Sequence, residues 1–331
     1  MTQTPDVNIA HAQHSGAGPL SANEAAKRVL VTGASGFVGR YLVPYLAAEG
    51  YTVVAADRSG GGGAPDPRIV AAKMPELADP NADWSGLLDG ADAVVHLAGI
   101  AHDSGPPDQY EAVNVRGPER LAAAAQRADV KHFIFASSIN AQVGGWADHI
   151  VREDDTPAPD SPYGRSKLVA EAALRKLDLP VTILRPVLIH DNSPQSVQTH
   201  KGNLAMLDRL IRMRLPLPFG SLSNRRSWVS VQNFCDAVRF VIETPAAQGQ
   251  TFIVADPVTP TVTEMIASLA QRSGRNATQV RCPPALLALG LKLIGRGAMW
   301  NKLGRPLVAT PERLLALGWR PSDAAAPHTR R

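Results

Sequence analysis

The chain has 331 residues, a net charge of +4 and 44% hydrophobic residues, enough for two domains or one large α/β unit with an ample core. Its basic residues are scattered rather than gathered into a patch, which excludes a nucleic-acid footprint, and Cys235 and Cys282 follow no metal spacing, so no metal is expected. The start lacks the basic-then-apolar pattern of a signal, and the longest apolar stretch, Ala285 to Ile294, is too short to span a bilayer and carries Lys292, so a soluble cytoplasmic protein is expected.

Met1 to Ala26 is polar and without periodicity, which predicts a disordered leader over residues 1–26. Val29 to Val31 is an apolar, β-branched run suited to a strand buried on both faces. Gly33, Gly36 and Gly39 follow at three-residue spacing, and Arg40 to Glu49 reads as a helix. Strand, glycine turn and helix in this order form a dinucleotide-binding fingerprint. One glycine makes the turn, the next admits a pyrophosphate, and the third packs helix on strand. The run from Tyr51 ends in Asp57, placed to take the adenosine ribose hydroxyls. Asp57 repels a ribose phosphate and favours NAD, whereas Arg58 would accept one and keeps NADP as the alternative.

Gly60 to Gly63, with Pro65 and Pro67, predict a loop. Ala91 to Leu97 reads as a strand ending in Ala98 and Gly99, small residues that let a cofactor approach the backbone. Tyr110 to Ala128 predicts a helix broken near Gly117-Pro118, and Lys131 to Ala136 a strand running into Ser137 and Ser138. Ser161 caps and Pro162 opens a helix to about Leu177, and Val181 to Leu184 is a further strand. Strands alternating with helices specify an α/β fold with a doubly wound parallel sheet. The expected domains are a dinucleotide-binding unit over 27–185 and a smaller C-terminal substrate-binding α/β region over 186–331, whose residues 233–255 return to the main sheet. In that second region Asp191 to Gly202 reads as a loop, Asn203 to Arg214 as a helix and Leu215 to Gly220 as extended. A helix over Asn233 to Glu243, a strand over Thr251 to Val254 and two tail helices follow.

Tyr163 and Lys167 stand four apart on one helix and share a face. A free tyrosine is a poor base near neutrality, and a neighbouring ammonium favours its phenolate. Ser138, at the carboxyl end of its strand, can bond the substrate oxygen that gains or loses the proton. Ser137 is the other candidate, since a one-residue shift turns the side chain over.

Together these residues resemble the extended short-chain dehydrogenase/reductase family, and within it the nucleotide-sugar epimerases, dehydratases and reductases. The resemblance runs from Lys27 to Pro321 through Thr32-Gly33-Ala-Ser-Gly36-Phe37-Val38-Gly39, His96-Leu97-Ala98-Gly99, Asn114-Val-Arg-Gly117, Ser137-Ser138, Tyr163-Gly-Arg-Ser-Lys167 and Leu184-Arg-Pro186. It implies Tyr163 as acid/base, Lys167 and Asn114 as cofactor contacts and Ser138 as donor to the substrate oxygen. It also implies a cofactor lined by the glycine turn, Phe37, Val38, Leu97, Ala98, Gly99, Ser137 and Pro186. Lys201 to Leu204, Leu215 to Gly220 and Asn224 to Ser227 look like the substrate side of UDP-sugar 4-epimerases and of polysaccharide-pathway 4-keto reductases. There Asn203 and Arg226 would hold the diphosphate, beside Leu204, and Phe219 would lie on the uracil. The likeness further implies a homodimer, with the helices at Tyr110 and Ser161 as candidates for its interface.

Departures stand at Leu188-Ile-His190-Asp191, where relatives have a Tyr-Gly-Pro turn, and at Ala72-Lys73, where relatives carry Gly-Asp. Ile139-Asn-Ala-Gln142 replaces the Asp-Glu pair of the dehydratases, so dehydration is not expected. The alternatives are reduction of a sterol- or flavonoid-like ketone and a cofactor-sensing protein without catalysis.

Overall fold

The computed structural model describes residues 27–60, 66–101, 106–191, 213, 216–272, 277–293 and 295–322. The expected leader, most of the loop at 60–65, the stretch Asp191 to Gly202 beyond its first residue, and nearly all of the helix expected at 203–214 lie outside them.

Seven parallel strands form the main sheet. They are β1 (Arg28–Thr32), β2 (Thr52–Asp57), β3 (Ile69–Lys73), β4 (Ala93–His96), β5 (His132–Ala136), β7 (Val181–Pro186) and β10 (Thr251–Val254), ordered β10-β7-β5-β4-β1-β2-β3. This is the expected doubly wound α/β fold. Alternation along each strand feeds two cores. Val29, Val31 and Ile134 face one with Leu42, Phe234 and Phe252, whereas Leu30, Phe133 and Phe135 face the other with Leu121 and Leu174. Each fully buried Leu, Ile or Phe contributes about 1.5–3 kcal/mol, so the sheet is held from both sides.

The register aligns the strands' carboxyl ends. Thr32 pairs with both Ala56 and His96, His96 with Phe135, and Ala136 with Leu184. The loops leaving β1, β4 and β5 therefore open on one edge, where ligands bind in sheets of this kind.

Three sequence expectations change. The helix after β4 is not broken at Gly117-Pro118. It runs on from Pro107–Gln109 through a widened π-type stretch, Tyr110–Arg116, into a regular helix, Gly117–Arg127. The proline stands at the junction of the two windings, at the start of the regular part. The tail, expected to carry two helices, carries four among the described residues, Val262–Arg272, Pro284–Leu293, Ala298–Leu303 and Glu312–Ala316. The run Ile69 to Lys73, for which no element was expected, is the outermost strand and pairs with β2.

Two small parallel pairs lie beyond the main sheet: β6 (Ile150–Val151) with β11 (Val308–Ala309), and β8 (Leu188–His190) with β9 (Trp228–Ser230). The Val231–Glu243 helix packs under the sheet, and the tail closes on it. Trp319 Nε1 donates to Asp236 at 2.9 Å, and Ser322 N to Asn233 Oδ1 at 2.9 Å.

Candidate active site

The glycine turn is built by close approach. A Cβ at Gly39 would lie 2.4 Å from the Gly33 carbonyl oxygen, so only glycine lets the helix Gly39–Ala48 begin there. Gly33 has φ +73°, and a Cβ on it would meet Ala98 N at 2.9 Å, so the turn lies against the end of β4. The helix has no side-chain cap at its N-terminus, so its positive dipole end meets the glycine turn, an anion-binding arrangement. Phe37, Val38 and Leu97 are partly buried against the core beside it.

Asp57 ends β2 and is buried. Its Oδ1 accepts bonds from Ser59 Oγ at 2.8 Å, Ser59 N at 2.9 Å and Gly60 N at 2.8 Å. The Ser59 hydroxyl, ahead of the other donors, holds the carboxyl below its ordinary pKa, so Asp57 is a fixed negative charge. Arg58 points outward and is exposed. A dinucleotide fits this edge: an uncapped helix end for phosphates, a glycine turn without side chains, and an anchored carboxylate for ribose hydroxyls.

Asn114 lies in the π-type stretch and is buried. Its Oδ1 accepts from Ile100 N at 2.8 Å and its Nδ2 donates to Ile100 O at 2.9 Å, clamping the loop after β4. Its Nδ2 also donates to Ser166 Oγ at 3.2 Å, joining that loop to the Tyr163 helix. The widened winding turns this side chain inward, in keeping with π-bulges at functional positions.

The helix Pro162–Leu174 carries Tyr163, Lys167 and Glu171 one turn apart on its inner face. Ser161 Oγ caps it by accepting from Gly164 N at 3.0 Å. A Cβ at Gly164 would stand 2.2 Å from the Asn140 carbonyl oxygen, so glycine lets the helix start rest on the turn holding Ser138. Ser138 Oγ hydrogen-bonds the Tyr163 side chain and caps Ile139–Gln142 by accepting from Asn140 N at 3.1 Å. Ser137 turns the other way, its Oγ donating to Glu171 Oε1 at 2.5 Å. Of the two serines, Ser138 is the one facing the tyrosine.

Burial pushes Tyr163 from 10.0 up to about 12, outweighing the Ser138 bond. The protein's own groups therefore keep it a phenol, contrary to the expectation that Lys167 would favour the phenolate. The reason is geometric. Lys167 Nζ donates to Ala136 O at 2.9 Å and lies 4.6 Å from the Phe135 ring centroid. Burial lowers Lys167 to about 8, against the pull of Glu171. It stands close to Gly99, whose Cβ would be 3.9 Å from Nζ and 2.9 Å from Asn114 Oδ1. Tyr163, Ser138, Lys167, Asn114 and Gly99 thus meet at the ends of β4 and β5.

Sequence reasoning did not single out the support below. Glu171 is fully buried; Arg185 Nε donates to it at 2.9 Å, the Arg185 terminal nitrogen to its other oxygen, and Arg185 also binds Gln142. His96 stacks on Phe135, its ring Nδ1 2.8 Å from Thr32 Oγ1, and burial lowers it to about 3, so it is neutral. Arg185 and His96 stood in the quoted motifs; their partners are distant in sequence and gave no signal.

On the expected substrate side, Asn203 and Leu204 lie outside the described residues. Phe219 is half-buried in a small core with Leu217, Leu222 and Ile266. Arg226 donates to main-chain carbonyls of Arg305 at 2.8 Å, Gly145 at 3.1 Å and Asn301 at 3.5 Å. Pro186 ends β7. Among the described residues no cluster of His, Cys, Asp or Glu could hold a metal, and no helix is long and apolar enough to cross a membrane.

The nucleotide-ready edge and the Tyr–Lys–Ser group lie side by side on a Rossmann-like α/β fold. The chain belongs to the NAD-dependent epimerase/dehydratase family, whose model matches residues 29–255, and NAD is its cofactor. It is 32% identical over 311 residues to a UDP-glucose 4-epimerase from Vibrio cholerae, covering 89% of this chain and 91% of that one. An N-acetyl-alpha-D-glucosaminyl-diphospho-ditrans,octacis-undecaprenol 4-epimerase from Escherichia coli O157:H7 is 27% identical, covering 79% and 77%. Among solved structures, MoeE5 in complex with UDP-glucuronic acid and NAD is 25% identical at a TM-score of 0.67, covering 89% and 94%.

Proposed function

We propose that this enzyme works at C4 of a UDP-hexose in polysaccharide or O-antigen assembly, as a 4-epimerase or a 4-keto reductase. The observation that carries the reading is the Ser138–Tyr163 hydrogen bond beside buried Lys167, at the sheet edge that fits a dinucleotide. Ser138 holds the sugar oxygen, and Tyr163, kept a phenol by burial, gives its proton to a keto oxygen. In the oxidising direction it would act as the phenolate, which the positive nicotinamide of bound NAD would favour, and take the proton of the C4 hydroxyl. Asn114 fixes the loop after β4 and, with Lys167 held beside it on Ala136 O, presents Gly99 to the cofactor. Bound NAD supplies the hydride acceptor and donor. Arg226 and Phe219, with Asn203 and Leu204, would take the UDP moiety. The same reading includes a homodimer packed through the helices at Tyr110 and Ser161, where Val169 is exposed.

Two incubations test it, with products read by NMR: UDP-glucose or UDP-N-acetylglucosamine without added cofactor, and a 4-keto-6-deoxy UDP sugar with NADH. Conversion to the galacto sugar in the first marks an epimerase, and reduction only in the second a reductase. Silence in both, with turnover of a sterol-like ketone, overturns the proposal. Tyr163→Phe should lower kcat roughly a thousandfold with KM little changed.

A further inference from the structure

The helix Pro284–Leu293 contains six leucine or alanine residues in its first eight positions, yet none of its ten residues is buried. One side, with Leu287, Ala288 and Leu291, is half-buried, and Leu287 packs against the small core of Leu217 and Ile266. The other side carries Leu286, Leu289 and Leu293, exposed by 60%, 51% and 78%. Their i, i+3, i+7 spacing sets them in one stripe. Lys292 borders the stripe and is exposed, as are Arg281 before the helix and Arg296 after it. From Met265 to Pro311 the sequence holds seven basic residues and no acidic one, more than the whole chain's net charge of +4.

We propose that this face docks on an anionic lipid bilayer, with the leucine stripe at the headgroup–acyl boundary and Arg281, Lys292 and Arg296 at the lipid phosphates. Ten residues span about 15 Å, half the ~30 Å of a hydrocarbon core, so the helix lies in the interface plane. The charge selects the occupant. A second copy of this face would set cations against cations around the stripe, whereas anionic headgroups complement them. The attachment is independent of which sugar the site takes.

The test is co-sedimentation of the full chain with vesicles of phosphatidylcholine alone and of an equimolar mixture with phosphatidylglycerol. Pelleting should occur with the mixed vesicles only and be reversed by high salt. Replacing Leu286, Leu289 and Leu293 together by Gln should abolish it without moving Tm, since these side chains make no core contacts. Arg281→Gln with Lys292→Gln should weaken it roughly thirtyfold. Equal recovery on both vesicle types, no recovery on either, or pelleting that survives the leucine changes overturns the proposal. So does a leucine variant that dissociates dimers in size exclusion while the parent ignores vesicles, because the stripe then joins copies of the chain.

Discussion

The Tyr163 region and the Arg226 region both bury charged side chains, but in different company. Around Tyr163 the buried groups answer one another side chain to side chain: Ser137 to Glu171, Glu171 to Arg185, Arg185 to Gln142, Asn114 to Ser166. Around Arg226 a single guanidinium serves main-chain oxygens from separate segments, at Gly145, at Asn301 in the helix Ala298–Leu303 and at Arg305 after it. The first arrangement fixes side-chain positions to fractions of an ångström, as proton transfer requires. The second fixes loops, and its failure would loosen backbone rather than misplace a reacting atom.

Glu171 offers the largest contrast. Glu171→Ala leaves Arg185 buried and unpaired, which should cost about 3–5 kcal/mol in urea unfolding. Glu171→Gln keeps one acceptor oxygen, for Ser137 and Arg185 Nε, but loses the charge and sets an NH2 against the other Arg185 nitrogen, so it should be destabilised less than the alanine variant. Because Ser137 is joined to Ser138, both variants should lower kcat more than they raise KM. A fall in stability with kcat intact would make the network structural only and erase the contrast.

The same contrast explains what the sequence made legible. Tyr163 and Lys167 were found because helix spacing alone puts them on one face, and Gly33, Gly36 and Gly39 because a turn needs them locally. Glu171 has that spacing too, but its partner Arg185 comes from β7, and only the fold brings them together. The strands Leu188–His190 and Trp228–Ser230 pair across some forty residues of chain, and neither is long enough to announce itself. Ile69–Lys73 was missed because, as a half-exposed edge strand, it lacks the apolar run of its neighbours. The π-type winding at Tyr110 depends on how that segment packs, not on a residue pattern. Arg226 was read as a phosphate ligand from the family likeness, with which its fork of donors agrees, and its main-chain partners leave no mark in sequence.

Arg226→Ala is the middle test. If its bonds to the three carbonyls are its main role, stability should fall by about 2–3 kcal/mol while UDP affinity changes less than twofold. If it holds the diphosphate, UDP affinity should fall tenfold or more, by titration calorimetry, with a smaller loss of stability. The outcome decides whether the distal region differs from the Tyr163 region in kind or only in having its ligand still to meet.

Acid should separate the two regions by the smallest margin. His96 and His132 are buried in the sheet, and each has one ring nitrogen engaged, by Thr32 and Thr182, and the other buried without a hydrogen-bond partner. Thr182 gives its own proton to Ala247 O, so His132 Nε2 is the donor in that pair and Nδ1 has nowhere to place a second proton. Burial accordingly lowers His96 to about 3 and His132 to about 4. The unfolded chain protonates both near 6.5, so unfolding takes up protons between about pH 6.5 and 4 and stability falls as pH drops through that window. The slope is up to about 1.4 kcal/mol per pH unit for each histidine. In the distal region His190 lies 3.9 Å from the Asp256 carboxylate, a counter-charge that the structure gives neither His96 nor His132. Urea midpoints at pH 7 and pH 5 should therefore differ, and His132→Gln, which keeps a donor for Thr182, should recover about 1–2 kcal/mol at pH 5. Hydrogen exchange at pH 5 should quicken in β4 and β5 before β8 and β9. Equal quickening would mean that the acid sensitivity belongs to the whole molecule and not to the sheet beneath the tyrosine.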